Sequence, residues 1–463
     1  MALLPIILAA GKGTRMNSSL PKVLHTIGGK PMLQHVIDCC QQLTDESIGI
    51  IVGHGSDHVK NSVTANQVDW VLQSEQKGTG HAVLQAADLM SDDDVVIIAY
   101  GDVPLIKIET LKELAKKVDT STLAVLTTKP DDPYGYGRII RDDASKIQYI
   151  VEEKDANEKE KEVNEVNTGF IAAKGSDLKR WLNQITPTNA QGEYYLTDCI
   201  AMAVNEGGNI EAVVCDDPLE AEGVNDRIQQ AKLERVYQKR QTDKLLLDGV
   251  TLADPSRVDI RGSISAGKDV FIDINTVIHG DVTLGNNVVI QPNCVIEDSV
   301  IGDNTTIKAN SVIESAKIGN SCDVGPFGRI RPGTVLNDES KVGNFVEIKK
   351  AIVGKGSKIS HLSYIGDTTM GNDVNIGAGT ITCNYDGVNK FQTIIGDNVF
   401  VGSDTQLVAP VNIQKGSTIG AGSTITKDTP ENELTLSRSK QMTLKGWTRP
   451  IKINATNNKK ENS

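Results

Sequence analysis

The chain has 463 residues and a mass of 49.8 kDa, which is long enough for two or three domains. Its formal net charge of -12 argues against nucleic acid as the main partner, because phosphate backbones attract basic surfaces. No segment approaches the run of about 18 apolar residues that spans a membrane, and the apolar opening, Leu3–Ala10, lacks the basic start of a secretory signal. We therefore predict a cytoplasmic protein without a membrane partner.

The first half alternates strand-like and helix-like segments. Strand-sized apolar runs occur at Leu3–Leu8, Ser47–Val52 and Val95–Tyr100, whereas Met32–Gln42 and Gly80–Met90 have helical spacing of apolar residues. This alternation predicts an α/β domain with a mostly parallel, doubly wound, Rossmann-like sheet over residues 1–226.

The first apolar run leads into a glycine-rich loop, "LAAGKGTRM". The loop has Gly11 and Gly13 of a dinucleotide fingerprint, but Met16 stands at the third glycine, and the P-loop pattern fails as well. Glycines after a strand still let backbone N–H groups face an anion, and Lys12 and Arg15 add positive charge. The loop alone leaves two interpretations open, a phosphate site and an ordinary tight turn.

Other polar residues stand near the ends of predicted strands. Asp102 follows "VVIIAYG", so its carboxylate should lie at the carboxyl edge of the sheet, where such folds bind ligands, although a turn Asp is the plain alternative. Lys22 taken alone is a solvated lysine, and "QSEQKGTGHA" (73–82) is equally a capped helix start. Asn167 and Asn225 are amides near strand ends and are not distinctive individually.

A long helix is predicted over residues 227–248 as a connector. Ile228, Ala231, Val236 and Leu245 recur among charged residues, which indicates an amphipathic helix about 30 Å long at 1.5 Å per residue.

The sequence becomes periodic over residues 249–437, where an aliphatic residue recurs every six positions. A helix cannot keep every sixth residue on one face, whereas short strands wound into a triangular coil can bury one aliphatic per side. Eighteen residues per coil predict about ten coils of a parallel β-helix. A tail, 438–463, follows, and its last residues, 453–463, are expected to be disordered. The longest strict run is Ile395, Val401, Leu407, Ile413, Ile419 and Ile425.

The repeat contains polar features that a purely structural coil does not need. His361 lies in "KISHLSYIG", on a coil expected to bury aliphatic and small residues, although a lone histidine is more often structural. Lys349, Tyr364 and Asn375 stand roughly one coil apart nearby. The segment "CNYDGVNKFQT" (383–393) then interrupts the repeat, which is typical of a loop on a binding face.

Seven cysteines form an odd set without a C-x-x-C pair. We expect reduced, mostly packed thiols instead of a disulfide or zinc framework.

The motifs of the N-terminal half, in the order LAAGKGTRM, LPK, QSEQKGTGHA, AYGDVPL, YGYGRI, VEEKDA, EVNTGF and EGVND, resemble those of sugar-phosphate nucleotidyltransferases. The resemblance implies that UTP reacts with a sugar 1-phosphate and releases pyrophosphate. It also implies that Arg15 and Lys22 are catalytic and that Asp102 and Asn225 bind Mg²⁺. The nucleotide and sugar nucleotide would be bound by Leu8, Ala9, Gly11, Lys22, Gln73, Gly78, Thr79, Tyr100, Gly101, Asp102, Gly137, Glu152, Asn167 and Asn225.

The second half is similar to the left-handed β-helix acyltransferases with hexapeptide repeats, and their handedness comes from that resemblance. Together with "RIRPG", "SHLSYIGD" and "NIGAGTITCNYDG", the whole chain to about Pro450 resembles bacterial bifunctional enzymes with glucosamine-1-phosphate acetyltransferase and N-acetylglucosamine-1-phosphate uridylyltransferase activities. The resemblance implies a homotrimer that supplies UDP-N-acetylglucosamine for the cell wall.

The same resemblance assigns the acetyltransferase residues. His361 would be the general base, because a neutral histidine suits deprotonation of an amine near neutral pH. Glucosamine 1-phosphate would be bound by Arg331, Lys349, Tyr364, Asn375 and Lys390. Acetyl-coenzyme A would be bound by Ala378, Asn384, Tyr385, Ser403, Ala421 and Arg438.

Three functions remain in competition, in this order. The first is an enzyme with both activities, and the second is a nucleotidyltransferase whose coil is only an oligomerising scaffold. The third is a catalytically silent subunit that binds sugar nucleotides, against which the presence of Arg15, Lys22, Asp102 and Asn225 argues.

Overall fold

The computed structural model describes residues 2–11, 13–53 and 55–452. The chain forms two compact units, which divide between Ser299 and Val300. The expected charge of Lys12 and the expected disorder of residues 453–463 lie outside the described residues. Within the described part, every helix is too short or too polar to cross a membrane.

The first unit begins with a nine-stranded sheet whose central strands are parallel. Leu3–Ala9 pairs in parallel with Val95–Tyr100 on one side and with Ile48–Val52 on the other. Val166–Lys174 is the exception in the main strand order, because it runs antiparallel to both of its neighbours. The predicted mostly parallel sheet is confirmed. The main strand order is Ile210–Val214, Leu123–Thr128, Val166–Lys174, Val95–Tyr100, Leu3–Ala9, Ile48–Val52 and Val68–Leu72, and Arg138–Arg141 and Ile147–Val151 extend from Val166–Lys174.

Helices cover both faces of this sheet, because alternate residues of each strand point to opposite faces. Ile7 packs in one core with Leu33, and Ile6 packs in a second core with Trp181. The predicted helix Gly80–Met90 is observed as a shorter helix followed by a separate 3₁₀ turn. The α-helices are Met32–Cys40, Ser56–Ser62, Thr79–Leu84, Ile108–Lys117, Glu158–Lys161, Gly175–Leu182 and Asp198–Asn205, with 3₁₀ turns at Thr14–Met16, Lys22–Leu24, Ala87–Leu89 and Pro218–Glu220 and a short hairpin of Thr26–Ile27 with Lys30–Pro31.

The long helix is observed as Arg227–Leu247, and the Asp226 carboxylate caps its first backbone N–H groups. The prediction that Ile228 belongs to the apolar face of this helix is wrong, because its side chain is 82% exposed. The buried residues of the helix include Gln238, whose side chain donates to the Ile260 carbonyl at 2.9 Å and accepts from the Ile260 N–H at 2.7 Å. The helix therefore docks through a polar side chain that satisfies strand backbone groups, and apolar spacing does not reveal such a contact.

The first unit ends in the first coils of a parallel β-helix. Val258–Ala266 pairs in parallel with Thr276–Leu284, and Val258 lies opposite Thr276 on the next coil. The strands here are Thr251–Leu252, Val258–Ala266, Phe271–Ile272, Thr276–Leu284, Val289–Ile290 and Val295–Glu297, with a 3₁₀ turn at Pro255–Arg257.

The second unit consists of further parallel coils, and their predicted period is confirmed. Lys317 pairs with Val335 at the predicted spacing, whereas the coil from Lys341 to its partner Lys358 is shorter by a single residue. Every aliphatic residue of the strict run from Ile395 to Ile425 is buried. The strands are Val300–Ile301, Thr306–Ile307, Val312–Glu314, Lys317–Ile318, Asp323–Val324, Arg329–Ile330, Val335–Leu336, Lys341–Asn344, Glu347–Lys349, Ile352–Val353, Lys358–His361, Tyr364–Gly366, Thr368–Met370, Asn375–Ile376, Ile381–Cys383, Thr393–Ile395, Phe400–Val401, Gln406–Val408, Val411–Ile413, Thr418–Ile419, Thr424–Ile425 and Leu434–Thr435.

One coil is longer than its neighbours. Asn375 pairs with Phe400, and Phe400 pairs with Thr418, so the first of these two coils contains more residues than the second. The extra length is the predicted insertion. Tyr385 forms an antiparallel bridge with Lys390, so the insertion is a small hairpin.

One corner of the coils carries large apolar residues in the left-handed backbone region. Phe327, Phe345 and Leu362 have φ angles of 55°, 55° and 48°, and all three side chains are exposed. The two phenylalanine rings stack with their centroids 5.1 Å apart. Asn310 has φ 60° one coil before Phe327, and asparagine tolerates this conformation far better than phenylalanine.

All seven cysteines are free, and all are buried except the half-buried Cys383, which confirms the predicted packed thiols.

Candidate active sites

The N-terminal candidate site lies at the carboxyl edge of the parallel strands. Leu3–Ala9 and Val95–Tyr100 run side by side and end together, so the glycine loop and Asp102 meet there. The Gly101 N–H donates to the Leu8 carbonyl at 3.0 Å and joins the two strand ends. A cavity of about 590 Å³ opens at this edge. Its lining includes Leu8, Ala9, Gly11, Lys22, Gln73, Gly78, Thr79, Tyr100 and Asp102 among the predicted residues.

Charged and amide groups converge beside this cavity. The Lys22 ammonium forms an ion pair with the Asp102 carboxylate and donates to Asn225 Oδ1 at 3.1 Å. Arg15 Nη2 donates to the same Asn225 oxygen at 3.0 Å. The side chains of Lys22 and Asp102 are only 13% and 17% exposed, so their interaction is screened less than a surface pair. Arg15 and Lys22 are thus brought together with Asp102 and Asn225, which lie far from them in the sequence.

The oxygen atoms of Asp102 and Asn225 fit a magnesium ion in their chemistry. Both are hard donors, and both already contact one cation, the Lys22 ammonium. Among the described residues, no three His, Cys, Asp or Glu side chains group closely enough to hold a metal. A metal bound at Asp102 and Asn225 would therefore have few protein ligands, which is the usual situation for Mg²⁺ bound together with phosphates.

The segment 73–82 forms a second wall of the cavity. Gly78 has φ 114°, and a Cβ atom there would lie 2.5 Å from the Tyr194 carbonyl oxygen, so the turn requires glycine. Thr79 Oγ1 accepts a hydrogen bond from the Leu196 N–H at 3.1 Å. Gln73 is buried and lines the cavity.

Gly137, Glu152 and Asn167 form a third group. The Asn167 N–H donates to the Gly137 carbonyl at 2.8 Å, and a Cβ atom on Gly137 would lie 3.3 Å from a Glu152 carboxylate oxygen. Burial raises the pKa of Glu152, although the Thr197 hydroxyl, which donates to it at 3.3 Å, partly offsets this. Burial, followed by the charges of Glu152 and Asp102, raises the pKa of Tyr100, so this phenol stays protonated.

The C-terminal candidate site lies on the outside of the second unit. His361 is exposed, and its Nδ1 lies 2.8 Å from Asn344 Oδ1, directly across a strand pair. An amide oxygen only accepts, so Nδ1 carries the proton and Nε2 is left as a base. The strand register places equivalent residues of successive coils in one column: Asn344, His361, Ala378, Ser403 and Ala421.

A cationic group lies on a neighbouring face of the coils. Arg331 donates to Glu347 at 2.7 Å, which raises the pKa of Arg331. The nearby ammonium of Lys390, followed by Arg331, lowers the pKa of Lys349. Lys390 comes from the inserted hairpin, so the insertion delivers a third cation to this face. Such a cluster favours an anionic ligand.

Comparison with known proteins identifies both halves. The MobA-like NTP transferase domain matches residues 5–159, the GMPPB C-terminal domain matches residues 260–353, and the bacterial transferase hexapeptide (six repeats) matches residues 392–427. A curated relative, "Bifunctional protein GlmU" from Marinobacter nauticus (strain ATCC 700491 / DSM 11845 / VT8), is 55% identical over 447 residues. The alignment covers 96% of this chain and 98% of the relative.

The chain belongs to the GlmU family. The predicted bifunctional enzyme, with an N-terminal nucleotidyltransferase and a C-terminal hexapeptide acetyltransferase, is confirmed, and the two competing functions are set aside. A crystal structure of UDP-glucose pyrophosphorylase complexed with UDP-glucose gives a TM-score of 0.44 at 17% identity, over 52% of this chain and 100% of that chain.

The remaining predicted residues of this chain are distributed as follows. Asn375 lies on a different sheet from Tyr364, because it pairs with Lys358 and Phe400. Asn384 is buried and donates to the Asp367 carboxylate, whereas Tyr385 at the hairpin is exposed. Arg438 donates to the Ala421 carbonyl at 3.0 Å, which ties the start of the tail to the column.

Sequence reasoning missed several residues at the two sites. Gln76 and Glu193 line the N-terminal cavity, and Gln76 donates to the Ala10 carbonyl. Gln76 lies within the motif QSEQKGTGHA, so it could have been found there, but Glu193 carries no motif. Asn344 stands one coil before His361, but the predicted period does not pair the two residues, because this coil has 17 residues and not 18.

Proposed function

We propose that this chain acetylates glucosamine 1-phosphate with acetyl-coenzyme A in its C-terminal half. The N-terminal half then transfers UMP from UTP to N-acetylglucosamine 1-phosphate and releases pyrophosphate. The observation that carries the second step is the convergence of Arg15, Lys22, Asp102 and Asn225 beside the 590 Å³ cavity.

In uridylyl transfer, an oxygen of the sugar phosphate attacks the α-phosphorus of UTP in line and pyrophosphate leaves. Two polyanions must approach each other, so positioning and charge neutralisation matter most. Arg15 and Lys22 supply positive charge at the phosphates. Their shared contact with Asn225 supports this role, because it holds both cations at one point.

Asp102 and Asn225 would hold Mg²⁺, since their oxygens converge on one cation position. Bound there, the ion would neutralise phosphate charge and supply Lewis acidity. The Lys22 ammonium would then be available to the phosphates.

The uracil is bound by Gln73, Gly78 and Thr79. The amino sugar is bound by Gly137, Glu152 and Asn167. The shared cavity wall of the first group supports the first assignment. The contact of Gly137 with Asn167, and the closeness of Gly137 to Glu152, support the second. The remaining contacts to the nucleotide come from Leu8, Ala9, Gly11, Tyr100 and Gly101.

In acetyl transfer, His361 Nε2 takes a proton from the 2-ammonium group of glucosamine 1-phosphate. The freed amine attacks the thioester carbonyl, the C–S bond breaks, and coenzyme A leaves as the thiol. The Asn344 amide supports this role, because it fixes the histidine tautomer that leaves Nε2 basic.

The sugar phosphate is bound by Arg331, Lys349 and Lys390, whose mutual closeness is the support. Tyr364 and Asn375 orient the sugar ring. Acetyl-coenzyme A follows the column of Ala378, Ser403 and Ala421, with further contacts from Asn384, Tyr385 and Arg438.

The enzyme is a cytoplasmic homotrimer assembled through its β-helix. The exposed, stacked rings of Phe327 and Phe345 support a subunit contact, since apolar surface of this kind is costly to leave in water. The free cysteines support a reducing compartment. The functional boundaries remain 1–226, 227–248, 249–437 and 438–463, supported by the helix Arg227–Leu247.

Two assays of the purified protein test the proposal. Thiol release from acetyl-coenzyme A is measured with glucosamine 1-phosphate and without UTP, and pyrophosphate release is measured with UTP, Mg²⁺ and N-acetylglucosamine 1-phosphate. Both signals are expected, and glucose 1-phosphate, which has no amine, should give no thiol. A folded protein that releases pyrophosphate but no thiol would refute the acetyl-transfer half of the proposal.

A further inference from the structure

The Gln73 side chain is held from two sides at the wall of the N-terminal cavity. Its Nε2 atom lies 3.3 Å from the Gly78 carbonyl oxygen and 3.1 Å from His81 Nδ1. Gln73 is buried and lines the cavity of about 590 Å³. Its amide therefore has a fixed orientation beside the space for a ligand.

The chemistry of these two neighbours decides which end of the amide faces the cavity. A carbonyl oxygen only accepts, so the Gln73 atom next to Gly78 must be the NH₂ group. His81 Nδ1 accepts the second N–H when the proton of the neutral imidazole is on Nε2. The Gln85 amide nitrogen, 3.4 Å from Nε2, then does not donate to that atom. Both amide hydrogens are then used, and Gln73 Oε1 remains as a hydrogen-bond acceptor for the ligand.

His81 is itself held in place. It lies on the helix Thr79–Leu84, and its ring centroid is 6.2 Å from the ring of Tyr194. The Tyr194 carbonyl accepts from the Gly80 N–H at 2.8 Å, so the backbone next to His81 is tied to the same residue. The imidazole is thus positioned to act on Gln73 and not directly on the ligand.

A fixed acceptor at this wall discriminates between pyrimidines. Uracil carries an N3–H donor at its pairing edge, whereas cytosine has a bare N3 acceptor in the same place, which would meet Oε1 with repulsion. A site that hydrogen-bonds a particular group rejects an analogue lacking it, because a buried polar atom is left unpaired. We propose that His81 is a positioning residue that locks the Gln73 amide with Oε1 toward the base and thereby selects UTP over CTP.

This inference rests on the proposed uridylyl transfer, and its test uses the full-length protein with three single substitutions. His81→Leu removes the acceptor, His81→Asn keeps one near the position of Nδ1, and Gln85→Ala removes the other side chain that contacts His81. The ratio of kcat/KM for UTP to that for CTP is measured from pyrophosphate release, and thermal unfolding checks that each variant is folded.

We expect His81→Leu to lower the UTP-to-CTP ratio at least about tenfold, mainly by improving CTP. The NH₂ group then keeps only the 3.3 Å contact with the Gly78 carbonyl and turns toward cytosine N3 more readily. His81→Asn and Gln85→Ala should keep the ratio of the parent. An unchanged ratio in folded His81→Leu, or an equal fall in all three variants, would overturn the inference. If the parent released no pyrophosphate from UTP, the proposed function would fail instead.

Discussion

The two candidate sites for phosphorylated small molecules differ in architecture. The N-terminal one is a walled site, and the C-terminal one is an open site. The N-terminal site keeps Lys22 and Asp102 largely buried beside a walled cavity, so few water molecules and ions screen their charges. The C-terminal residues, such as His361 and Lys390, lie exposed on the outer surface of the coils. One unit thus carries the walls of its site within itself, whereas the other presents exposed residues that would need walls from a neighbouring surface. The proposed trimer would supply that surface.

The largest effect is expected from the loss of the base at the open site. His361→Ala should slow acetyl transfer by about 10² to 10⁴, because the ammonium then has no positioned base, while uridylyl transfer stays at the parent rate. Thiol release and pyrophosphate release from one preparation measure both. His279→Ala, which removes a histidine from an earlier coil, is the matched control. Acetyl transfer at the parent rate in a folded His361→Ala protein would contradict the assignment.

The reverse pattern is expected at the walled site. Asp102→Ala should reduce pyrophosphate release at least about 10²-fold, because it removes the anion paired with Lys22 and one oxygen ligand for Mg²⁺. Acetyl transfer should not change. Asp119→Ala, an exposed aspartate of the same unit, serves as the control. Pyrophosphate release that persists in the Asp102 variant would show that neutralisation does not depend on this carboxylate.

A third change tests whether the open site depends on a second chain. Phe327→Asn combined with Phe345→Asn should lower the assembled mass and acetyl transfer but spare uridylyl transfer. The left-handed backbone there costs most residues about 1–2 kcal/mol, but asparagine tolerates it better than phenylalanine. The folded coil should therefore not lose stability. Light scattering measures the mass. Ile352 is exposed and lies away from this corner, so Ile352→Asn is the control. If Ile352→Asn lowered the assembled mass and the double variant did not, the subunit contact would lie elsewhere.

The smallest effect concerns a buried carboxyl group at the walled site. Because burial raises the pKa of Glu152, the folded state binds its proton more tightly than the unfolded state. The stability it contributes is complete below the unfolded pKa of about 4.3 and is lost as pH rises through the folded pKa. Glu152→Gln should therefore raise Tm by about 1–2 °C at pH 7 and by nothing at pH 4. If Glu152→Gln and the parent had the same Tm at pH 7 as well as at pH 4, this prediction would be contradicted.

The sequence predicts the coils well because their geometry demands one aliphatic residue at each sixth position, as Val401 and Leu407 illustrate. It also predicts the place of Asp102, since parallel strands end at a common edge. It does not predict the docking of the long helix, because the polar Gln238 takes a position that apolar spacing assigns to other residues. Asn344 and Glu193 reach their sites through register and long-range packing, and neither leaves a local signal.

The column from Asn344 to Ala421 also has a fixed length along the coil axis. Adjacent parallel strands are about 4.8 Å apart, so its four steps span about 19 Å whatever the side chains are. The coil with the insertion takes one step like the others, because the hairpin leaves the strand register and adds no height. The reach of the site along the coil axis is therefore counted in whole coils. Removal of one coil would shorten that reach by a single strand spacing.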